Sequence, residues 1–136
     1  SGTIPALQTP YLYYLYAQSN NFSGNLPTFA GAVRLQRLYL NSNSITGYTS
    51  EALKYNTSLS IIDLSNNSLP SSAGIPLIDD LFDNYGLNPR SGVSVNLLGN
   101  NGLNRSDIVS QNEGEQSPAS KLAFLEQYWT ILLDAT

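Results

Sequence analysis

The sequence predicts an α/β fold made of repeated turns of chain, each opening on a short strand, with helices gathered in the C-terminal half. Three observations lead there. Residues 35–45, LQRLYLNSNSI, set apolar side chains at Leu35, Leu38, Leu40 and Ile45 and an asparagine at Asn43. The same pattern stands 23 residues earlier at Leu12, Leu15, Ala17, Asn20 and Phe22, and 24 residues later at Leu59, Ile62, Leu64, Asn67 and Leu69. The residues after the asparagine recur too: Ser1-Gly2-Thr3-Ile4-Pro5 matches Ser23-Gly24-Asn25-Leu26-Pro27, and Thr46-Gly47 is a weaker copy. Alternation of Leu38 and Leu40 is the spacing of a short half-buried strand. An asparagine where the chain leaves that strand can satisfy backbone groups, because its amide both donates and accepts. Self-similarity at a period of roughly 20–29 residues means units that bury their apolar faces only by stacking on one another.

Taken in order, Ser1 to Pro10 is the tail of a repeat whose strand is absent, and the chain reads as a fragment of a longer protein. Tyr11 to Asn20 is the first complete strand and turn, with Tyr13, Tyr14, Tyr16, Gln18 and Ser19 at its variable positions. Its return leg offers Leu26, Phe29 and Val33 to the core. The second strand exposes Gln36, Arg37, Tyr39, Asn41 and Ser42, and its return leg opens on TSEAL, where Thr49 or Ser50 can cap a short helix through Tyr55. The third strand exposes Ser60, Ile61, Asp63, Ser65 and Asn66. Beyond Leu69-Pro70, Ile75, Ile78, Leu81, Phe82 and Tyr85 recur at helical spacing, with Gly86 as the expected stop. Asp79, Asp80 and Asp83 lie off that stripe and read as a solvated helix face rather than a metal cluster.

The fourth strand, residues 92–100, admits two registers. Val95, Leu97 and Asn100 fit one; Leu98, Asn101 and Leu103 fit the other; clean alternation of Val93, Val95 and Leu97 favours the first. Residues 104–116 read as a polar loop. Ser117-Pro118 is a helix start, the helix running to about Tyr128 and burying Leu122, Leu125 and Phe124. Trp129, Ile131 and Leu133 then point inward from a last strand. Residues 1–104 are thus read as repeats, the first incomplete and the fourth lengthened by the helix at about 75–85. Residues 105–136 are read as a capping helix and strand that cover the open end of the stack.

The motif LxxLxLxxNxL followed by SGxIP resembles the plant-type leucine-rich repeat over residues 1 to about 70. The run from Ile75 to Asp134, with VNLLGNNGLN between two helices and WTILLD after them, resembles the end unit of leucine-rich-repeat segments in bacterial surface and bacteriophage proteins. The resemblance implies a right-handed solenoid with its parallel sheet on the concave side, two helices in the C-terminal half and a C-terminal cap. It implies inward columns of Leu15, Leu38, Ile62 and Val95 and of Ala17, Leu40, Leu64 and Leu97, beside a structural ladder of Asn20, Asn43, Asn67 and Asn100. It also implies an extracellular, cell-surface or virion setting, and a concave face that carries the ligand.

Composition narrows the chemistry. The 136 residues hold no Cys and no His, which removes disulfides, thiol chemistry and the commonest acid–base and metal-ligating side chain. Net charge is −4, which argues against a nucleic-acid surface. No apolar run approaches the roughly 20 residues of a membrane span, and no signal peptide is visible. No cofactor, metal or catalytic constellation is expected: Asp63 is the lone acid at the variable positions, and Glu113 and Glu115 fall in the polar loop. Four N-x-S sequons stand at Asn21, Asn56, Asn66 and Asn104.

What remains is a surface. Strands lie about 4.8 Å apart, so Tyr16, Tyr39 and Asp63 should form one column and Tyr14, Arg37 and Ile61 the next, continued by Asn96 and Ser94. Tyr and Arg are over-represented at interface hot spots, although tyrosine also suits any sheet. The sequence therefore points to a non-catalytic adhesion or binding module for protein, peptide or glycan within a larger protein. A structural spacer that stacks through its open N-terminal end and an inhibitor of a secreted hydrolase are the alternatives.

Overall fold

A computed structural model describes residues 2–6, 9–100, 102–110 and 117–135. Ser1, Asn101 of the second register, and Glu113 and Glu115 lie outside the described residues.

Two parallel sheets form the frame. The larger has five strands whose spatial order follows the chain: β2 (Tyr14–Tyr16), β4 (Arg37–Tyr39), β6 (Ile61–Asp63), β7 (Ser94–Asn96) and β8 (Thr130–Leu132). Its register is unbroken, with Leu15, Leu38, Ile62, Val95 and Ile131 side by side. Each three-residue strand sends that one side chain inward. Leu35, Leu59 and Val93 before it, and Leu40, Leu64 and Leu97 after it, complete a buried wall. Burying each such side chain contributes about 1.5–3 kcal/mol. Val95 in register with Ile62 settles the fourth strand in the first of its two readings.

The smaller sheet joins β1 (Gly2–Thr3), β3 (Phe22–Leu26) and β5 (Ser44–Tyr48). Its strands overlap the SGxIP segments and their weaker copy, which the sequence reading placed in the return legs without assigning them strands. Gly24 takes φ +78° and the β3–β5 register shifts between Gly24 and Asn25, so glycine marks a bulge here rather than the end of pairing.

The return legs differ from expectation at several points. Val33 is exposed, and Ala32 takes the buried place beside Phe29. The TSEAL segment forms turns and no helix, because Glu51 adopts φ +69°. After a 3-10 turn at Ser71–Ala73, α1 (Gly74–Leu87) buries Leu77, Ile78 and Leu81. Gly86 lies inside α1. The stop comes at Asn88, which leaves the helical region (φ −151°) ahead of Pro89, as proline demands of the residue before it. Asp80 and Asn84 of α1 are buried too, so the acidic face is only partly solvated.

The expected polar loop contains α2 (Arg105–Val109), making three helices among the described residues where two were expected. Asn104 caps it by accepting from the Asp107 N–H at 2.9 Å. α3 (Pro118–Leu125) starts as Ser117 accepts from the Ser120 N–H at 3.1 Å, and it ends one turn earlier than Tyr128. Leu122 and Leu125 are buried, whereas Phe124 and Leu133 are half-buried. Phe124 packs edge-on against Phe82 and Tyr85 of α1. Trp129 is buried, donates from Nε1 to the Arg90 carbonyl at 2.9 Å, and carries the Arg90 guanidinium over its ring.

Candidate functional site

Residues that point inward along the five-stranded sheet oblige their neighbours to point outward. On β2, β4 and β6 those neighbours form two columns. Tyr14, Arg37 and Ile61 are one, and Tyr16, Tyr39 and Asp63 the other. Ser94 with Thr130, and Asn96 with Leu132, extend them onto β7 and β8. Tyr14 and Tyr16 are 48% and 52% exposed; Tyr39, Ile61 and Asp63 are half-buried by their neighbours.

The rings interlock with the arginine. Tyr16 and Tyr39 stack with centroids 5.0 Å apart and planes 14° from parallel. The Arg37 guanidinium lies 4.9 Å from the Tyr14 ring centroid, and its Nη1 donates to the Tyr16 hydroxyl at 3.2 Å. That hydrogen bond, with the neighbouring tyrosines, raises the arginine's pKa above its ordinary value. The aromatic contacts hold a flat, rigid cation-bearing surface in place at low entropic cost. Asp63 is less available. Its Oδ1 accepts from the Ser65 N–H at 3.0 Å and the Ser65 hydroxyl at 2.6 Å.

Sequence reasoning missed a second pair of the same kind. Arg34 lies over Tyr11, 4.9 Å from its centroid, and Tyr11 is 72% exposed. Both residues stand one place before the first leucine of their repeats, so the repeat phase carried the signal.

The asparagines make a separate, buried arrangement. Asn43 Oδ1 accepts from the backbone N–H groups of Asn20 and Phe22 at 2.9 and 3.0 Å, and its Nδ2 donates to the carbonyls of Ala17 and Leu40. Asn67 accepts from the Ile45 N–H and donates to Leu40 and Leu64. Asn100 accepts from the Leu69 N–H and donates to Leu64 and Leu97. Asn20 departs from this scheme. It is exposed and its Nδ2 donates to the Gln18 carbonyl in its own turn, because no strand lies beyond β2 among the described residues. On the opposite flank Asn56 donates to Phe29 and Ala32, and Asn84 to Leu53 and Asn56. This pair has no repeating motif to announce it. Burial also removes Asn56 from the surface sequons, while Asn21 and Asn66 are exposed.

A cleft of about 410 Å³ opens between the turn after β5 and α1, lined by Ser50, Glu51, Lys54, Asp79, Asp80 and Asp83 among others. Its carboxylates are engaged internally. Asp79 pairs with Lys121 at 2.9 Å, Asp83 faces Lys54 at 3.8 Å, and Asp80 accepts from the Tyr48 hydroxyl at 2.5 Å. Burial raises the Asp80 carboxyl above the usual range and, with the adjacent carboxylate, pushes the Tyr48 phenol up as well. Among the described residues, no group of three His, Cys, Asp or Glu side chains is placed to hold a metal. No described helix is long and apolar enough to cross a membrane.

Repeating parallel strands, an inward leucine column and asparagines bonded between turns define a class, and known proteins agree with it. The Leucine Rich Repeat family model matches residues 34–56. The chain is similar to Receptor-like protein 18 of Arabidopsis thaliana, with 36% identity over 66 residues, which is 48% of this chain and 8% of that protein. No solved structure matches it. These matches place leucine-rich repeats in this chain. Repeats of this family generally mediate protein binding and are typically non-catalytic.

Proposed function

We propose that the outward face of the five-stranded sheet, read as the concave side of a right-handed solenoid, is a docking surface for a protein or peptide partner. Tyr14, Tyr16, Arg37 and Tyr39 anchor it, and Ile61 and Asp63 form its margin. The observation that carries this reading is the Tyr16–Tyr39 stack tied to Arg37 on an exposed sheet face. Exposed aromatic groups held by one another lose little freedom when a partner covers them. The surface is read as one of recognition and not of catalysis, since its one carboxylate is spent on Ser65.

The wider reading is an adhesion or recognition segment of a larger surface or virion protein, with residues 1–104 as the repeats and residues 105–136 as the closing unit. Likeness to a receptor-like protein supports the surface setting. Selection from a random peptide display library tests the docking surface. Wild-type protein should enrich a family of sequences that Tyr14→Ala/Tyr16→Ala/Tyr39→Ala no longer retains. No enrichment, or equal enrichment by the triple variant, overturns the reading.

A second reading has its own observation. Leu15 and Ala17 are only half-buried, whereas Leu38 and Leu40 are fully covered. A further turn of chain or a second copy could cover these side chains, as the spacer or self-assembly alternative requires. Light scattering tests it: a species of constant mass across a hundredfold concentration range rejects self-association.

A further inference from the structure

The charges of the chain are unevenly spent. Six basic residues face ten acidic ones. Lys54, Arg105 and Lys121 pair with carboxylates. Arg90 is turned inward onto the carbonyls of Leu59 and Asn88 and the Asn84 amide. Arg34 and Arg37 lie on tyrosine rings instead, and among the described residues neither forms an ion pair. Both belong to the repeats that carry the exposed rings. In a chain of net charge −4, these are the two exposed cations that have no carboxylate partner among the described residues.

The geometry suits one kind of group. Arg37 gives Nη1 to Tyr16 and lies on Tyr14, which fixes the plane of the guanidinium. Its remaining N–H groups have no hydrogen-bond acceptor among the described residues. A planar fork with a fixed orientation and open donors matches a carboxylate, which can accept two parallel hydrogen bonds. The stacked Tyr16–Tyr39 pair beside it offers apolar area for the residue next to that carboxylate.

We infer that the partner is an acidic peptide segment, an aspartate or glutamate of which seats on Arg37 while its neighbour covers the Tyr16 and Tyr39 rings. This rests on the docking reading above and names the class of partner for that surface. Arg34 on Tyr11 supplies a second positive charge that favours segments with more than one carboxylate.

Fluorescence anisotropy tests it with a labelled seven-residue peptide containing two glutamates among leucine and glycine, its glutamine twin, and a carboxylated oligosaccharide. At low salt the glutamate peptide should bind at least about tenfold more tightly than its twin, and about 1 M salt should close the gap. Arg37→Gln should abolish the preference, and Arg37→Lys, which keeps charge but loses the fork, should retain part of it. Tyr16→Ala/Tyr39→Ala should weaken both peptides alike. Equal binding of the two peptides, or an undiminished preference in Arg37→Gln, overturns the inference. If that equal binding is lost in Tyr16→Ala/Tyr39→Ala, the docking reading survives. Binding of the oligosaccharide alone, or of nothing, overturns the inference. A blank display selection as well removes the docking reading with it.

Discussion

Replacing Asn67 by alanine should show how much one buried amide contributes. Its Oδ1 accepts from the Ile45 N–H at 3.1 Å, and its Nδ2 donates to the Leu40 and Leu64 carbonyls at 3.0 and 3.1 Å. The three groups fare differently after truncation. The Leu40 carbonyl keeps the Asn43 amide and the Leu64 carbonyl keeps the Asn100 amide. The Ile45 N–H, on a fully buried residue, is left with no acceptor. An orphaned buried donor costs about 1–3 kcal/mol, and each lost carbonyl bond about 1 kcal/mol net. Together these predict a loss of about 3–5 kcal/mol, a large share of the roughly 5–15 kcal/mol that holds a domain folded. With a urea slope of about 2 kcal/mol/M, the midpoint should fall by about 1.5 M at the lower figure. Amide exchange at Ile45 should accelerate more than at Leu38. Asn20→Ala is the control, since that exposed side chain bonds only the Gln18 carbonyl; its effect should stay within about 0.5 kcal/mol. A midpoint shift under about 0.5 M for Asn67→Ala, or equal shifts for the two variants, refutes the reasoning.

Other consequences can be measured alongside. Tyr16→Ala/Tyr39→Ala should alter stability by no more than about 1.5 kcal/mol, the worth of an exposed aromatic pair, with an unchanged far-ultraviolet spectrum while partner binding is lost. Gly99→Ala should lower stability by about 1–2 kcal/mol in a urea melt, because Gly99 sits at φ +73° and a Cβ there would press on Asn66 Oδ1. Adding Asn66→Gly should recover the steric part of that loss and leave the backbone part. Asp80 gives a pH test. Burial raises its folded pKa, so the stability it contributes is full below about pH 4, the unfolded value, and declines as pH rises through the folded value. Tyr48 and Asp83 are the titratable groups beside it. Wild type should therefore lose stability relative to Asp80→Asn between pH 4 and 7; a constant difference across that range contradicts the assignment.

The strand columns were legible because the repeat period fixes phase. Once Leu38 and Leu40 are known to face inward, Leu15, Ile62 and Val95 follow by counting, and so do the outward Tyr14, Arg37 and Tyr39. Features that break phase were not legible. The smaller sheet hides behind Gly24 and Gly47, residues that by propensity signal turns. Glu51 at φ +69° ends a helix that its own sequence favours. Val33 and Ala32 exchange expected places because a return leg has no periodicity to decide between neighbours. Asp80 is buried by virtue of Tyr48, 32 residues away, and no local pattern records that partner. The Arg37 contacts lie between these cases: register puts the arginine beside Tyr14 and diagonal to Tyr16, but only geometry shows which ring it covers and which hydroxyl it holds.

Tyrosine's liking for sheets is the rival account of the proposed surface, and the distribution of side chains weighs against it. A propensity effect should act alike on every strand of the same sheet. β2 and β4 have four outward positions, and three of them are tyrosine with Arg37 as the fourth. β6, β7 and β8 have six, filled by Ile61, Asp63, Ser94, Asn96, Thr130 and Leu132, with no aromatic among them. The inward positions change little across the same five strands, so packing demands are similar throughout and do not call for rings at one end. Outward residues of stacked repeats contribute little to the shared core and are free to answer to a partner instead. Aromatic side chains concentrated on two adjacent strands, locked to an unpaired arginine, are what a localised contact would leave behind.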